Sequence, residues 1–248
     1  MKNEQNRLLN KYLWLSSELE IMQQGFVVQQ RVANPSNFLY NLRYSANHNC
    51  YVLYDVSDPD PKVVIIGNCH QLGKKDTFFD EVAAILKSSL AKGDKVLLEG
   101  PANGKIIQGL STMTSMSIST LEDVVTKKEI GVYFNDDRDL AIKHHHTFKI
   151  FDECITKAIR RGNNNASTED LFKIVRKARI ESMNILEQRD NNFCYGPLGI
   201  VNFAKGPGRI YQMVGVGHIV ANNIGKILRK EDISYAAMVP VKLKYEYR

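Results

Sequence analysis

Val63-Val-Ile-Ile66, then Phe78-Phe-Asp-Glu-Val-Ala-Ala-Ile-Leu-Lys-Ser-Ser-Leu90, then Lys95-Val-Leu-Leu98 form the stretch that decides the fold. The first and last pieces are short, unbroken apolar runs, the pattern of strands buried on both faces of a sheet. Between them Phe78, Phe79, Val82, Ala83, Ile85, Leu86 and Leu90 recur at helical spacing, and Gly93 stops the helix. Strand, helix, strand predicts a βαβ unit, because a parallel return needs a crossover of about this length.

The same order returns toward the C-terminus. Ile210-Tyr-Gln-Met-Val214 reads as a strand, Ile219 to Leu228 as a helix, and Ser234 to Val239 as a strand. Val241, Leu243, Tyr245 and Tyr247 then alternate with Lys242, Lys244, Glu246 and Arg248, the period of a half-exposed strand. Such an edge can pair with a second copy of the chain as a homodimer. Upstream, Asp58-Pro-Asp-Pro61 breaks the chain before the first buried strand. The runs Phe38 to Leu42 and Tyr51 to Tyr54, separated by Ser45, Asn47, His48 and Asn49, read as a hairpin. Leu8, Leu9, Tyr12, Leu13 and Leu15 give residues 1–30 a helical stripe. In the middle, Leu140 to Ile159 and Leu171 to Gln188 carry helical periodicity on either side of a polar loop, Arg160 to Ser167. Ser167-Thr-Glu-Asp170 resembles a capping box at the start of the second helix, with Asp in place of Glu. The expectation is a single α/β domain over residues 1–248: a mixed, mainly parallel central sheet flanked by helices, with an N-terminal helix over 1–30 and a helical middle segment over 131–192.

Composition narrows the class of protein. The chain has 248 residues, a formal net charge of +6, 44% hydrophobic and 24% charged residues, which excludes a disordered chain. No run of apolar residues is long enough for a membrane span. The polar N-terminus lacks a signal-peptide core, which predicts a cytoplasmic protein; secretion by a signal-independent route would leave no mark in the sequence. Cys50, Cys69, Cys154 and Cys194 are widely spaced without a C-x-x-C pair, as in reduced thiols rather than a disulfide framework or a structural zinc site. The basic clusters Lys173 to Arg179 and Lys226 to Lys230 lack interleaved aromatics, so they read as solvated surface and predict no nucleic-acid partner.

The chemistry concentrates where strands end. Gly67-Asn-Cys-His70 and Gly215-Val-Gly-His218 each place Gly-x-x-His after a buried strand, and Glu99 ends the run Leu97-Leu98. Open parallel sheets bind ligands outside these carboxyl ends. A carboxylate ending an apolar strand is costly to bury unless it is paired or binds a metal or substrate. Two imidazoles and a carboxylate can hold Mn²⁺, Co²⁺ or Zn²⁺ with a position open for water. Alternatively, one histidine acts as general base, oriented by Glu99. Arg189, near the end of a helix, can bind a substrate carboxylate or a developing oxyanion. Cys69 beside His70 raises a nucleophilic thiol with His218 as base, against the plainer reading of a small buried side chain. His144-His-His146 cannot converge on one ion, because neighbours on a helix point about 100° apart. The glycines at 215 and 217 lack the third glycine of a dinucleotide loop, Val220 standing in its place.

This constellation resembles the TraB/GumN family and the related TIKI proteases, within a wider group that includes erythromycin-esterase-like and ChaN-like proteins. The motifs that carry it are Gly67-Asn-Cys-His70, Glu99, Arg189-Asp190-Asn191 and Gly215-Val-Gly-His218, with Gly131-Val-Tyr-Phe-Asn-Asp-Asp-Arg138 resembling a further Gly-x-Asp-x-Arg region. The resemblance implies a hydrolase of peptide, amide or ester bonds acting on a small-molecule or peptide substrate. It implies His70, Glu99 and His218 as the metal set for a divalent cation, and these three with Arg189, Asp137 and Arg138 as the catalytic set. Esterase-like relatives imply a metal-free histidine base. ChaN-like relatives imply instead a pocket for haem, a metal or an anionic ligand. A catalytically inactive member acting on a partner protein is the third reading.

Overall fold

The computed structural model describes residues 51–58, 60–68, 86–87, 89–101, 130–144, 146–147 and 168–240. The expected helix over 1–30, the run 38–42, the loop 160–167 and the alternating strand after 240 lie outside them, as do Cys69 and His70.

Six strands form one mixed sheet: β1 (Tyr51–Val56), β2 (Val63–Asn68), β3 (Lys95–Pro101), β4 (Gly131–Asp136), β5 (Ile210–Gly215) and β6 (Tyr235–Pro240), in the order β1-β6-β2-β5-β3-β4. β1 runs antiparallel to β6, and every other pairing is parallel. The two strands of the predicted βαβ unit, β2 and β3, do not pair with each other. Both flank β5, which arrives more than a hundred residues later. The apolar character of Val63–Ile66 follows from this position, since β2 has β5 on one side and β6 on the other.

The helices among the described residues include α1 (Thr168–Tyr195), α2 (Ile200–Ala204), α3 (Val216–Val220) and α4 (Asn223–Lys230). Two expectations are corrected. Residues 131–136, at the start of the expected helical segment 131–192, form strand β4. Val132, Tyr133 and Phe134 suit a pleated surface, and they pair with Val96, Leu97 and Leu98 of β3; helix begins at residue 138. The expected helix from Ile219 to Leu228 is two helices, α3 and α4, separated by Asn222 in the left-handed conformation (φ 55°). Asparagine is among the few residues that visit that region readily.

The chain divides into two compact units, one of residues 1–27 and 139–189, the other of 28–138 and 190–248. The second holds the sheet. One sheet face buries Val63, Ile65, Leu97, Ile210, Val214, Tyr235 and Ala237 against Phe193, Cys194, Ile200, Ile219, Ile224 and Leu228. The alternate residues Val64, Ile66, Val96, Leu98, Tyr211 and Met213 are buried on the other face, where the Tyr211 hydroxyl donates to the Ser89 carbonyl at 3.0 Å. At the amino ends of the strands, Lys62 Nζ donates to the carbonyls of Gly206 and Gly208, and Lys95 Nζ to that of Pro207. Asp94 accepts from the N–H groups of Ala91 and Arg209 there. These polar contacts lock the amino ends of the strands.

Candidate functional site

Three ionisable side chains meet at the carboxyl ends of β3 and β5. His218 lies in α3, just after β5; Glu99 lies in β3; Asp190 lies in the last turns of α1. His218 Nδ1 is 2.5 Å from Asp190 Oδ1, and its Nε2 is 3.7 Å from Glu99 Oε1. The imidazole therefore bridges two carboxylates, one on each ring nitrogen. All three are withdrawn from solvent: His218 is 2% exposed, Asp190 0%, and the Glu99 side chain 8%.

Each carboxylate is held from behind. The Gly215 backbone N–H donates to Glu99 Oε2 at 2.6 Å. Gly215 ends β5 in line with Asn68 of β2, so the turn that delivers His218 also anchors Glu99. Asn223, the first residue of α4, donates through Nδ2 to Asp190 Oδ2 at 3.0 Å. Phe193 sets its ring edge-on to the imidazole, with centroids 5.1 Å apart.

Burial of the ring opposes a charge on His218. The Asp190 carboxylate on Nδ1, with Glu99 facing Nε2, outweighs that opposition and pushes the imidazole up to about 9. Near neutral pH the ring is an imidazolium held between two anions. Such a group can donate a proton from Nε2 and stabilise negative charge beside it. Glu99 can accept a proton at the same place.

The remaining sequence candidates are placed as follows. Arg189 is buried in the first unit, and its Nη1 donates to His144 Nδ1 at 3.0 Å. A guanidinium only donates, so the His144 ring proton sits on Nε2, which meets Ser182 Oγ at 2.9 Å. In the Arg189-Asp190 pair it is Asp190 that joins His218. Asp137 is half-buried and Arg138 exposed, immediately after β4. His70 lies outside the described residues. Among the described residues no group of three or more His, Cys, Asp or Glu side chains is arranged to hold a metal ion. His218 Nε2 and Glu99 are the two described groups that a metal there would use.

Sequence reasoning quoted Asp190 within a motif but assigned it no role, and it missed Asn223, Gln212 and Asn135. Gln212 had a visible signal: it is the one polar side chain in the run Ile210 to Val214. It is fully buried, and it exchanges hydrogen bonds with Asn135, whose Nδ2 donates to Gln212 Oε1 at 2.7 Å while Gln212 Nε2 donates to Asn135 Oδ1 at 3.2 Å. Asn223 gave no signal, because asparagine at a helix start reads as ordinary capping.

No helix among the described residues is long and apolar enough to cross a membrane. Compared with known proteins, the chain matches no family model, no curated protein and no solved structure.

Proposed function

We propose that the protein is a hydrolase of peptide, amide or ester bonds, of the TraB/GumN-like kind, in which Glu99 and His218 handle the protons. One observation carries this reading: a buried histidine joined to Asp190 through Nδ1 and facing Glu99 through Nε2, at the strand ends where such sheets bind ligands. Near neutral pH His218 holds its proton, so Glu99 takes the proton from an attacking water. His218 then supplies one to the leaving group and steadies the oxyanion. Asp190 keeps the ring in place and compensates its charge. The substrate is a small molecule or peptide, and the working place is the cytoplasm.

A divalent metal (Mn²⁺, Co²⁺ or Zn²⁺) is the second form of this reading. It is favoured by the carboxylate on the far nitrogen of His218, the usual support for a metal-binding histidine. His218 Nε2 and Glu99 would hold the ion, with His70 as the third expected ligand. Bound there, it would supply an acidified water.

The test is turnover of a panel of peptide, anilide and ester substrates by wild type, Glu99→Gln and His218→Gln, with and without each metal, beside elemental analysis of each protein. Loss of turnover in both variants, with the fold intact by circular dichroism, is the expected result. Equal turnover in all three would overturn the reading. Near-stoichiometric metal lost in both variants would select the metal form.

A further inference from the structure

We propose that Asn135, clamped by Gln212 and Asn192, is a positioning residue that sets the bend of β3 and so aims Glu99 at His218. The register of β3 against β4 carries the argument. Leu98 pairs with Phe134, and Pro101 pairs with Asp136. Two residues, Glu99 and Gly100, therefore stand opposite Asn135 alone, which is a β-bulge. Bulges bend a strand and re-aim the side chains they carry.

Asn135 is pinned at both its side chain and its backbone. Its side-chain amide exchanges two hydrogen bonds with Gln212, at 2.7 and 3.2 Å. Its carbonyl accepts from Asn192 Nδ2 at 3.1 Å. Gln212 is on β5 and Asn135 on β4, the two strands that flank β3, so the amide pair spans the strand that carries Glu99. Gln212 is in register with Leu97, and Glu99 lies two residues further along β3, where the bulge begins. Asn192 follows Asp190 by two residues in α1. The clamp thus connects β4, the strand opposite the bulge, with β5, whose end anchors Glu99, and with the helix that presents Asp190.

Stability does not account for the pair. Two buried amides paired with each other, with Gln212 Nε2 also donating to the Met213 carbonyl, add little net stability, and replacing both with apolar groups of similar shape can be close to neutral. Their value lies in direction, since an apolar pair would leave the bulge free to settle elsewhere.

This inference rests on the reading that Glu99 and His218 work as a pair, but its test needs no substrate. The ring N–H signals of His218 would be followed by NMR in wild type, in the double variant Asn135→Leu/Gln212→Leu, and in the exchange Asn135→Gln/Gln212→Asn. The double-leucine protein should keep its Tm within about 4 °C of wild type. In it the Nε2–H signal, which faces Glu99, should move or broaden while the Nδ1–H signal, which faces Asp190, stays in place. The exchange, which keeps two facing amides, should return the Nε2–H signal toward its wild-type position. An unmoved Nε2–H signal, joint movement of both signals, or an exchange variant no different from the leucine pair would overturn the proposal. Should the double-leucine protein not fold, Asn192→Ala asks the same question from a half-buried position: a moved Nε2–H signal supports the clamp and an unmoved one refutes it. If the hydrolase reading itself fails, turnover will be indifferent to Glu99 and His218 while these ring signals still respond.

Discussion

Asp190 Oδ1 lies 2.5 Å from His218 Nδ1, with both side chains shut away from water. A buried charge is tolerable only when a partner of opposite sign is in contact. The two residues are 28 positions apart in sequence and reach each other from α1 and α3.

The pH dependence of stability follows from that contact. The folded-state value of His218, about 9, lies above the ordinary histidine value of 6.5. Folding then takes up a proton between these limits, so the contribution is complete below about pH 6.5 and is lost as pH rises toward 9. Its size is on the order of 3 kcal/mol. Thermal unfolding of wild type should show Tm falling between pH 6.5 and 9, and His218→Gln should show a flatter profile over the same window.

Asp190→Asn keeps the shape and removes the charge that compensates the imidazolium. Breaking a buried ion pair from one side costs about 3–5 kcal/mol. Urea unfolding at pH 6.5 should show a loss of that order, shrinking as pH rises through about 9, where the wild-type ring gives up its charge.

Asn223→Ala tests the support behind Asp190. It removes the donor 3.0 Å from Asp190 Oδ2 and leaves that oxygen short of a partner. Hydrogen bonds to charged groups are worth about 1.5–3 kcal/mol. The expected outcome is a lower urea midpoint with unchanged slope, together with a shift of the His218 ring signals.

Gly208→Ala tests the locked end of the sheet. Gly208 has φ +79°, and a Cβ there would collide with the Gly93 carbonyl oxygen. The left-handed conformation alone costs an ordinary residue about 1–2 kcal/mol, and the collision adds to it. A loss above about 2 kcal/mol in urea unfolding is expected, with the His218 signals unchanged because the site is at the other end of the strands.

Much of this architecture was legible in the chain. Val63–Ile66, Lys95–Leu98 and Ile210–Val214 are apolar enough to mark central parallel strands, and each is one. Residues 131–136 were less legible, because β4 pairs on one side with β3 and carries only partly buried side chains in its first four residues. The break at Asn222 was hidden because an apolar stripe continues from Ile219 through Ile224 to Leu228 across the left-handed residue.

Residue order alone specifies a parallel-rich α/β sheet with Glu99 and His218 at strand ends. Local patterning suffices there, because unbroken apolar runs state burial and a polar residue at the end of one states an exception to it. Their partners are set by long-range packing. The insertion of β5 between β2 and β3 brings the Gly215 N–H to Glu99, and the course of α1 gives Asp190 to His218 and Arg189 to His144. These choices depend on contacts between residues tens to more than a hundred positions apart, and such contacts leave no period in the sequence.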